Sequence, residues 1–364
     1  LVGCMSGATA PLQNANVSRV LSDLGADLHS LSLFWLAAPI MGLLVQPIVG
    51  AASDGTWNRF GRRKPFILGG AIAAAIGMFL MPNASIFVAF LVPMLFGGIM
   101  LALMDGAFNV TMQPFRALVS DMVPPQQRTL GYSIQALLIN IGAVIGSILP
   151  FVLTNVIGLD NVAEKGQVAE TVTWAFYIGA TALLGTVLWT CFRTKEYSPE
   201  DYNRYKNITP KPVIKTSLAT RLGNFWQLFI NMPKTMRQLA LVQFFSWFSL
   251  FIMWVYSTPA ITQYIWGIEA KWFDPAYLHT LDSIPAEISA AKGAAGDWVG
   301  IIFAAYSLFA ALFSIVLTRI ANRLGRKLTY SLSLLAGGIG YISFLFFQNA
   351  EIVHVNLLVT QVNV

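Results

Sequence analysis

Charge is the scarcest property of this sequence. Only 11% of its 364 residues are Asp, Glu, Lys or Arg, whereas 56% are hydrophobic and the mean hydropathy is +0.63. A soluble domain carries about 25% charged residues, so a water-exposed globular fold is excluded. The apolar residues occur in blocks of about 18 or more, long enough for a helix to cross ~30 Å of hydrocarbon. We therefore expect an all-α integral membrane protein.

Cysteine and histidine are also rare, and neither residue type has the spacing of a disulfide framework or a metal site. Cys4 and Cys191 lie far apart in apolar blocks, which argues against a disulfide framework. His29, His279 and His354 are scattered without metal-ligand spacing, and no Gly-x-x-x-x-Gly-Lys-[Ser/Thr] phosphate loop occurs. We expect no catalytic residues, no metal site and no cofactor, and thus no enzyme.

The apolar blocks predict nine membrane spans and the start of a tenth. They cover residues 1–22, 31–52, 66–82, 86–113, 130–155, 172–192, 238–265, 298–318 and 328–347, and the tenth begins near 353. The largest polar interruption, 193–237, separates a six-span half (1–192) from a second half (238–364). The chain starts without Met in one apolar segment and stops inside another, so we expect the second half to be incomplete.

The distribution of Lys and Arg predicts the orientation. With the second connection placed in the cytoplasm, 19 of the 23 basic residues fall on that side, as the positive-inside rule requires. The net charge of +6 is therefore a topology signal, and no nucleic-acid partner is expected. Within the cytoplasmic linker, residues 218–234 have the spacing of a helix lying on the membrane surface. We expect a multi-pass protein of a bacterial inner membrane, with the bilayer as a partner and no second subunit.

A short motif occurs twice. Asn-Arg-Phe-Gly-Arg-Arg (58–63) follows the second span, and Asn-Arg-Leu-Gly-Arg-Lys (322–327) follows the eighth. Six spans separate the copies, so each occupies the same place in a six-span half. This spacing predicts two parallel six-helix repeats.

These residues carry a family resemblance. Gly-Ala-Ala-Ser-Asp (50–54) followed by Arg-Phe-Gly-Arg-Arg-Lys-Pro-Phe-Ile (59–67) resembles the loop motif of the major facilitator superfamily. The motif has four inserted residues between Asp54 and Arg59 and ends in Pro-Phe-Ile. Both features are similar to sucrose-type proton symporters, within the glycoside–pentoside–hexuronide group. Residues 42–47, 113–118 and 243–267 agree, and the chain is most similar to bacterial maltose- or sucrose-carrying members. Gly55 and Asn322 depart from the motif, which usually has Arg and an acid there.

The resemblance implies a gate at the two motif copies. In this interpretation, Asp54 holds the arginines and a neighbouring helix N-terminus while the cytoplasmic side is shut, and the glycines permit the turns. The alternative is that the basic residues only anchor the chain to lipid headgroups. The candidate gating residues are Asp54, Arg59, Gly61, Arg62, Arg63, Arg116, Arg323, Gly325 and Arg326.

Asp105 is the strongest candidate for function. It interrupts the apolar fourth span, where an ionised carboxylate costs roughly 2.5–3.5 kcal/mol and normally faces a bundle interior or a water cavity. No other acid is expected in the interior of a span. Asn109 and Arg116 share its helical face, with Arg116 ~16 Å further along and Pro114 expected to bend the helix between them.

The family resemblance gives Asp105 a role. In the family, the matching Asp and Arg are needed for transport, and the Asp takes the proton and contacts the sugar. The alternative is that Asp105 only forms a structural pair with a neighbouring helix.

Other polar or aromatic residues in apolar spans could bind the sugar. Each amide could instead make a hydrogen bond between helices, and most aromatics of the seventh span could face lipid. The candidates besides Asp105 are Gln13, Asn14, Asn109, Gln113, Asn140, Gln243, Trp254 and Tyr256.

The combined prediction is a secondary transporter that couples uptake of a sugar to a proton by alternating access. Its expected substrate is an α-glucoside disaccharide such as maltose or sucrose, with Asp105 as the proton-coupling residue. The second span has no Asp, so the sodium site of melibiose-type relatives is not expected. Two alternatives stay open: a drug–proton antiporter of the same fold and a transporter-like sugar sensor.

Overall fold

The computed structural model describes residues 2–25, 28–87, 91–124, 127–163, 167–198, 200–201, 204, 227, 230–274, 277–278, 280–281 and 284–346. The predicted tenth span and most of the predicted surface helix at 218–234 lie outside these residues. No β-strand occurs in the described part of the chain, which confirms the all-α fold class.

Ten helices form most of the described chain. They are α1 (Val2–Asp23), α2 (Leu28–Trp35), α3 (Ala37–Gly55), α4 (Lys64–Leu80), α5 (Pro93–Met122), α6 (Arg128–Val152), α7 (Glu170–Arg193), α8 (Lys234–Tyr264), α9 (Ala286–Leu324) and α10 (Arg326–Phe346). Short helical segments continue α4 (Met81–Phe87) and α6 (Leu153–Ile157), and another covers Ala270–Phe273. Helices occupy all nine positions at which the sequence predicts a complete span.

Seven helical stretches among the described residues are long and apolar enough to cross a membrane. They are Leu31–Gly55, Lys64–Phe87, Pro93–Val119, Ile134–Ile157, Glu170–Arg193, Lys234–Tyr264 and Ala286–Leu317. Their large apolar side chains are extensively exposed, as expected of surfaces that face lipid rather than water. Helix α1 is more polar than these seven, because it carries Gln13, Asn14, Asn16 and Arg19.

Several predicted boundaries differ from the structure, most of all in α5, which also ends at Met122 rather than 113, and in α9, which also ends at Leu324 rather than 318. Helix α5 begins at Pro93 rather than near 86, because the chain before it forms the end of the preceding helical segment and Pro is favourable in a first turn. Helix α9 begins at Ala286 rather than at 298, so part of the predicted outer connection is helical. Charged residues interrupt the apolar run there, but the Ala-rich sequence still favours a helix.

The described chain forms two compact units. The larger one contains the residues up to Glu196 and those from Trp254 onward, and the smaller one is Tyr197–Met253. In the larger unit, α4, α5 and α7 share a buried cluster made of Ile67, Ala71, Ala74, Ala107, Leu118, Leu183 and Val187. The predicted division at residues 192 and 237 stays a prediction.

The helices of the larger unit run between two ends of a bundle. The loop Thr56–Arg63 between α3 and α4 receives contacts from Asp121 at the end of α5 and from Glu196 after α7. We call this the basic end. At the opposite end, Arg19 of α1, Asn161 between α6 and α7, and Asp297 of α9 are in contact.

Candidate functional site

Asp105 lies near the middle of α5, with its side chain buried. Gln13 of α1 donates a hydrogen bond of 2.7 Å from Nε2 to Asp105 Oδ1. Within the described residues, neither Asp105 Oδ2 nor Gln13 Oε1 has a hydrogen-bond partner. The acid therefore faces another helix of the bundle, as predicted, and keeps one oxygen available.

A second pair of amides lies one turn further along α5. Asn109 Nδ2 donates to the backbone carbonyl of Asp105 at 2.8 Å, as its i+4 position allows. Gln46 of α3 donates from Nε2 to Asn109 Oδ1 at 2.6 Å. Three helices thus place amide groups around Asp105: α1 through Gln13, α5 through Asn109 and α3 through Gln46. We call Gln13, Gln46, Asp105 and Asn109 the central polar cluster.

The chemistry of the central polar cluster suits a neutral, hydroxyl-rich ligand. Amide side chains both donate and accept hydrogen bonds, and so do hydroxyl groups. A buried polar atom without a partner carries a free-energy cost that a bound ligand or a proton can remove. Loss of hydration also disfavours the ionised form of a buried carboxyl. The cluster therefore combines hydrogen-bonding groups that match hydroxyls with an acid that can be protonated.

The other amides predicted to bind sugar are not hydrogen-bonded to Asp105 in the described part of the chain. Asn140 uses its Nδ2 on the carbonyl of Ala136 in its own helix. Asn14 and Gln113 are partly buried, and the described residues give neither of them a hydrogen bond to Asp105. Gln243 is partly buried in the part of α8 that belongs to the smaller unit. Of the predicted amides, the structure joins only Gln13 and Asn109 to Asp105.

The predicted aromatic residues differ in exposure. Trp254 is partly buried in α8, whereas 39% of Tyr256 is exposed. Phe244, Phe245, Trp247 and Phe248 are each more than half exposed, as expected of residues that face lipid. Of the two predicted aromatic residues, Trp254 is therefore the more buried candidate for sugar binding.

Arg63 is the centre of an ion-pair network at the basic end. Its side chain is only 7% exposed, and its guanidinium contacts Asp54 at 2.6 Å and Asp121 at 3.3 Å. It also donates to Ser53 Oγ at 2.7 Å. Arg62 joins the network through a 2.7 Å pair with Asp121. These contacts connect α3, the start of α4 and α5, and they pair Asp54 with Arg63 among the predicted arginines, while the gating role stays a prediction.

The anion at the N-terminus of α4 is Glu196. Its carboxylate accepts backbone N–H groups from Arg62 at 2.6 Å, Arg63 at 2.9 Å and Lys64 at 2.9 Å. These are N–H groups that a helix cannot satisfy internally, and the helix dipole favours a negative charge at this position. The prediction that Asp54 holds a neighbouring helix N-terminus while the cytoplasmic side is shut stays a prediction.

Of the remaining predicted gate residues, the two glycines form turns, whereas the arginines whose side chains are described take little part in ion pairs. Gly61 adopts φ +109°, and Gly325 at the second copy adopts φ +82°, which confirms the predicted turns. Arg59 is exposed and lies over the ring of Phe60. Arg116 and Arg323 are exposed, and the described residues offer neither of them an ion pair. The side chain of Arg326 lies outside the described residues.

Pro114 does not interrupt α5, which runs through it from Pro93 to Met122. Asp105 and Arg116 therefore lie on one uninterrupted helix. The ~16 Å expected between their Cα atoms prevents direct contact.

Sequence reasoning missed several residues of these sites. Gln46 lies in a stretch quoted for the resemblance, and its position in an apolar span is the same signal that selected Gln13. Asp121 and Glu196 lie at helix ends, where acids are common, and only their contacts distinguish them. Asp297 is an acid of α9 that lies just before the predicted span 298–318, and its buried contacts with Arg19 and Asn161 were not expected.

A buried carboxylate inside a helical membrane bundle commonly marks a path for a substrate or an ion. The chain matches the family model described as Major Facilitator Superfamily over residues 1–278, and it belongs to this superfamily. Membership of a superfamily of transporters agrees with the expectation that the chain is not an enzyme.

The chain is also similar to named proteins of known sequence. The chain is 26% identical over 255 residues to the general alpha-glucoside permease of Schizosaccharomyces pombe, covering 66% of this chain and 43% of the permease. It is 35% identical over 146 residues to the human proton-associated sugar transporter A, covering 38% of this chain and 20% of that protein. The chain thus spans less than half the length of these two relatives.

Solved structures share the fold. The crystal structure of the nucleoside transporter NupG superposes with a TM-score of 0.59 at 14% identity, covering 100% of this chain and 78% of NupG. The partially occluded inward-open structure of the E. coli xylose transporter XylE gives 0.55 at 13% identity, covering 100% and 82%.

Proposed function

We propose that this protein is a sugar transporter that couples uptake to a proton by alternating access, with the basic end in the cytoplasm. The observation that carries the proposal is the central polar cluster, in which Gln13 binds a buried Asp105 that keeps one oxygen unpartnered within the described residues. The names of two relatives, an alpha-glucoside permease and a proton-associated sugar transporter, support an α-glucoside as the substrate. Maltose and sucrose are the first candidates.

The proposed cycle begins with protonation of Asp105 from the outer side. The neutral acid and the amides of Gln13, Asn109 and Gln46 bind sugar hydroxyls, and the two halves then rearrange so that the site opens to the cytoplasm. Proton release completes the cycle. One proton moving down 100 mV supplies ~2.3 kcal/mol, enough for roughly a fifty-fold sugar gradient.

An antiporter of lipophilic cations is less well supported by this site. A cation-binding cavity would gain most from apolar and aromatic walls around the acid. Here amides are hydrogen-bonded to Asp105: Gln13 donates to its carboxyl group and Asn109 to its backbone oxygen. Placement in a bacterial inner membrane, a monomeric state and the proton as coupling ion stay predictions.

The decisive experiment is uptake of a panel of labelled glycosides into cells, with and without a proton uncoupler. An α-glucoside should accumulate, and the uncoupler should abolish its accumulation. The Asp105→Asn variant should lose accumulation but keep exchange of labelled for unlabelled sugar, because exchange needs no net proton movement. Accumulation by Asp105→Asn at the wild-type rate would remove Asp105 from the mechanism, and uptake of none of the sugars would overturn the substrate class.

A further inference from the structure

The end of the bundle opposite the basic end holds a buried polar cluster that the proposed cycle does not yet use. Arg19 of α1 is only 6% exposed, and its Nη1 lies 3.9 Å from Asp297 Oδ1 of α9. Asp23, one turn further along α1, lies 4.0 Å from Arg19 Nε. This cluster joins the first half of the chain to the second half.

Asn161 bridges the charges of the two halves. Its backbone oxygen and its Oδ1 each accept a hydrogen bond of 2.9 Å from Arg19 Nη2. Its Nδ2 donates to Asp297 Oδ2 at 2.9 Å, and Thr171 donates to its Oδ1 at 2.7 Å. An amide is the side chain that can accept from the cation and donate to the anion at once.

Helix α9 approaches the first half very closely at this place. A Cβ added to Gly293 would meet the backbone oxygen of Asn161 at 2.8 Å, and one on Gly296 would meet Arg19 at 3.0 Å. At Gly300, one helical turn deeper, it would meet the backbone oxygen of Ser147 at 2.5 Å. These glycines lie on one face of α9, so the contact between α9 and α6 continues inward from the cluster.

More contacts connect the two halves nearby. Ser289 of α9 donates to the backbone oxygen of Ala163 at 3.2 Å. Ser18 of α1 donates to the backbone oxygen of Val255 in α8 at 3.2 Å, and Ser18 accepts a bond from Trp35. The halves are therefore joined at the end opposite the basic loop.

We propose that Arg19, Asn161 and Asp297 form the outer gate, a lock between the halves that must break before the central polar cluster can open outward. The proposal rests on the alternating-access cycle proposed above. Helix α1 carries both Gln13 and Arg19, about 9 Å apart along its axis. A movement of α1 that separates Arg19 from Asp297 therefore also acts on the helix that binds Asp105.

The two charges of the lock are in loose contact. Arg19 Nη1 has no hydrogen-bond partner within the described residues, and its 3.9 Å distance to Asp297 Oδ1 is longer than a hydrogen bond. Removal of Arg19 would leave Asp297 buried without its cation, and removal of Asp297 would leave Arg19 with the 4.0 Å contact to Asp23 as its only ion pair among the described residues. Both changes are unfavourable, whereas removal of Arg19 and Asp297 together is better tolerated. Because opening hydrates the remaining charge, single variants should favour the outward-open state and the double variant should not.

Ser147→Cys in a Cys4→Ser/Cys191→Ser background is the probe for this test. Ser147 is fully buried beneath the lock, and a membrane-impermeant maleimide added to whole cells would reach it only after outward opening. Arg19→Met or Asp297→Asn should raise the labelling rate at least ~3-fold, and the double variant should return toward the parent rate. The matched control is Lys271→Ala, which removes an exposed ion pair with Glu269 inside one short segment and should change nothing.

Gly300→Ala tests closure without altering any charge. The added methyl group would press on the backbone of Ser147, so labelling should again increase. Labelling at the parent rate in all three variants, with each protein reactive after denaturation, would overturn the gate. A double variant labelled faster than both singles would also overturn it. The readout uses no sugar, so a failure of the sugar assignment leaves this result unaffected, and a failure of the gate leaves the uptake result unaffected.

Discussion

Gln13 and Asp105 are 92 residues apart in the sequence, yet they share a hydrogen bond of 2.7 Å between α1 and α5. Both side chains are buried, and each keeps one oxygen without a partner within the described residues. This pair connects the polar first helix to the acid that interrupts the fourth predicted span.

Replacing Gln13 with Ala removes the described donor to the Asp105 carboxyl. A hydrogen bond to a charged group contributes about 1.5–3 kcal/mol, so proton-driven uptake should fall roughly ten-fold or more. Initial rates of labelled-sugar uptake, normalised to the amount of protein in the membrane, measure this. Asn14→Ala is the matched control on the same helix and should cost much less. Equal losses in the two variants would contradict the special position of Gln13.

Replacing Gln46 with Leu keeps the volume of the side chain but leaves Asn109 without its donor. A neutral hydrogen bond contributes about 0.5–1.5 kcal/mol, so the KM for sugar should rise by about two- to ten-fold. Leu44→Ala, an exposed position on the same helix, serves as the control. A KM unchanged by Gln46→Leu would show that the α3 side of the cluster does not touch substrate.

Replacing Glu196 with Gln removes the negative charge that caps α4. Charge-assisted bonds and the helix dipole together make such a cap worth about 1–2 kcal/mol, so thermal unfolding in detergent should shift down by a few degrees. Glu200→Gln, an exposed acid nearby in sequence, should leave the transition in place. An unchanged midpoint for Glu196→Gln would mean that the neutral amide satisfies the N–H groups equally well.

Gly61 and Gly325 provide a comparison between steric conflict and backbone strain. Both adopt positive φ, which costs a non-glycine residue about 1–3 kcal/mol. A Cβ on Gly61 would also lie 2.9 Å from the Glu196 carboxyl, whereas a Cβ on Gly325 would have no atom of the described residues within 4 Å. Gly61→Ala should therefore reduce thermal stability more than Gly325→Ala does. The reverse order would contradict the description of the Glu196 cap.

Much of the fold could be predicted because the bilayer restricts the possible structures. Apolar blocks in hydrocarbon form helices because their backbone groups must be bonded internally, so the spans were predicted although both ends of α5 and of α9 differ by several residues. The moved boundary of α9 has a specific cause. Asp297 and Lys292 make the segment look like a loop, but Asp297 is bonded to Asn161, and Lys292 donates to the backbone oxygen of Trp272.

The candidate site was predictable only in part. Asp105 was identifiable because a carboxyl in a lipid-spanning segment costs free energy and is therefore usually functional. Asn109 was identifiable because helical periodicity places it on the same face of the helix. The roles of Gln46, Glu196 and Asn161 were not identifiable, since their partners lie 63, 134 and 136 residues away. Local patterns carry no information on such pairs.

Hydropathy, the position of basic residues and a repeated loop motif were enough to determine a helical membrane bundle of the major facilitator type with one acid of special interest. These properties depend on composition and on neighbours along the chain, which is why the sequence contains them. Tertiary structure alone decided which amide reaches Asp105, which acid caps α4 and which charges join the two halves at the end opposite the basic loop. The packing of helices that are distant in the sequence selects these partners. It must bring polar groups together, because burying a polar group without a hydrogen-bond partner costs free energy.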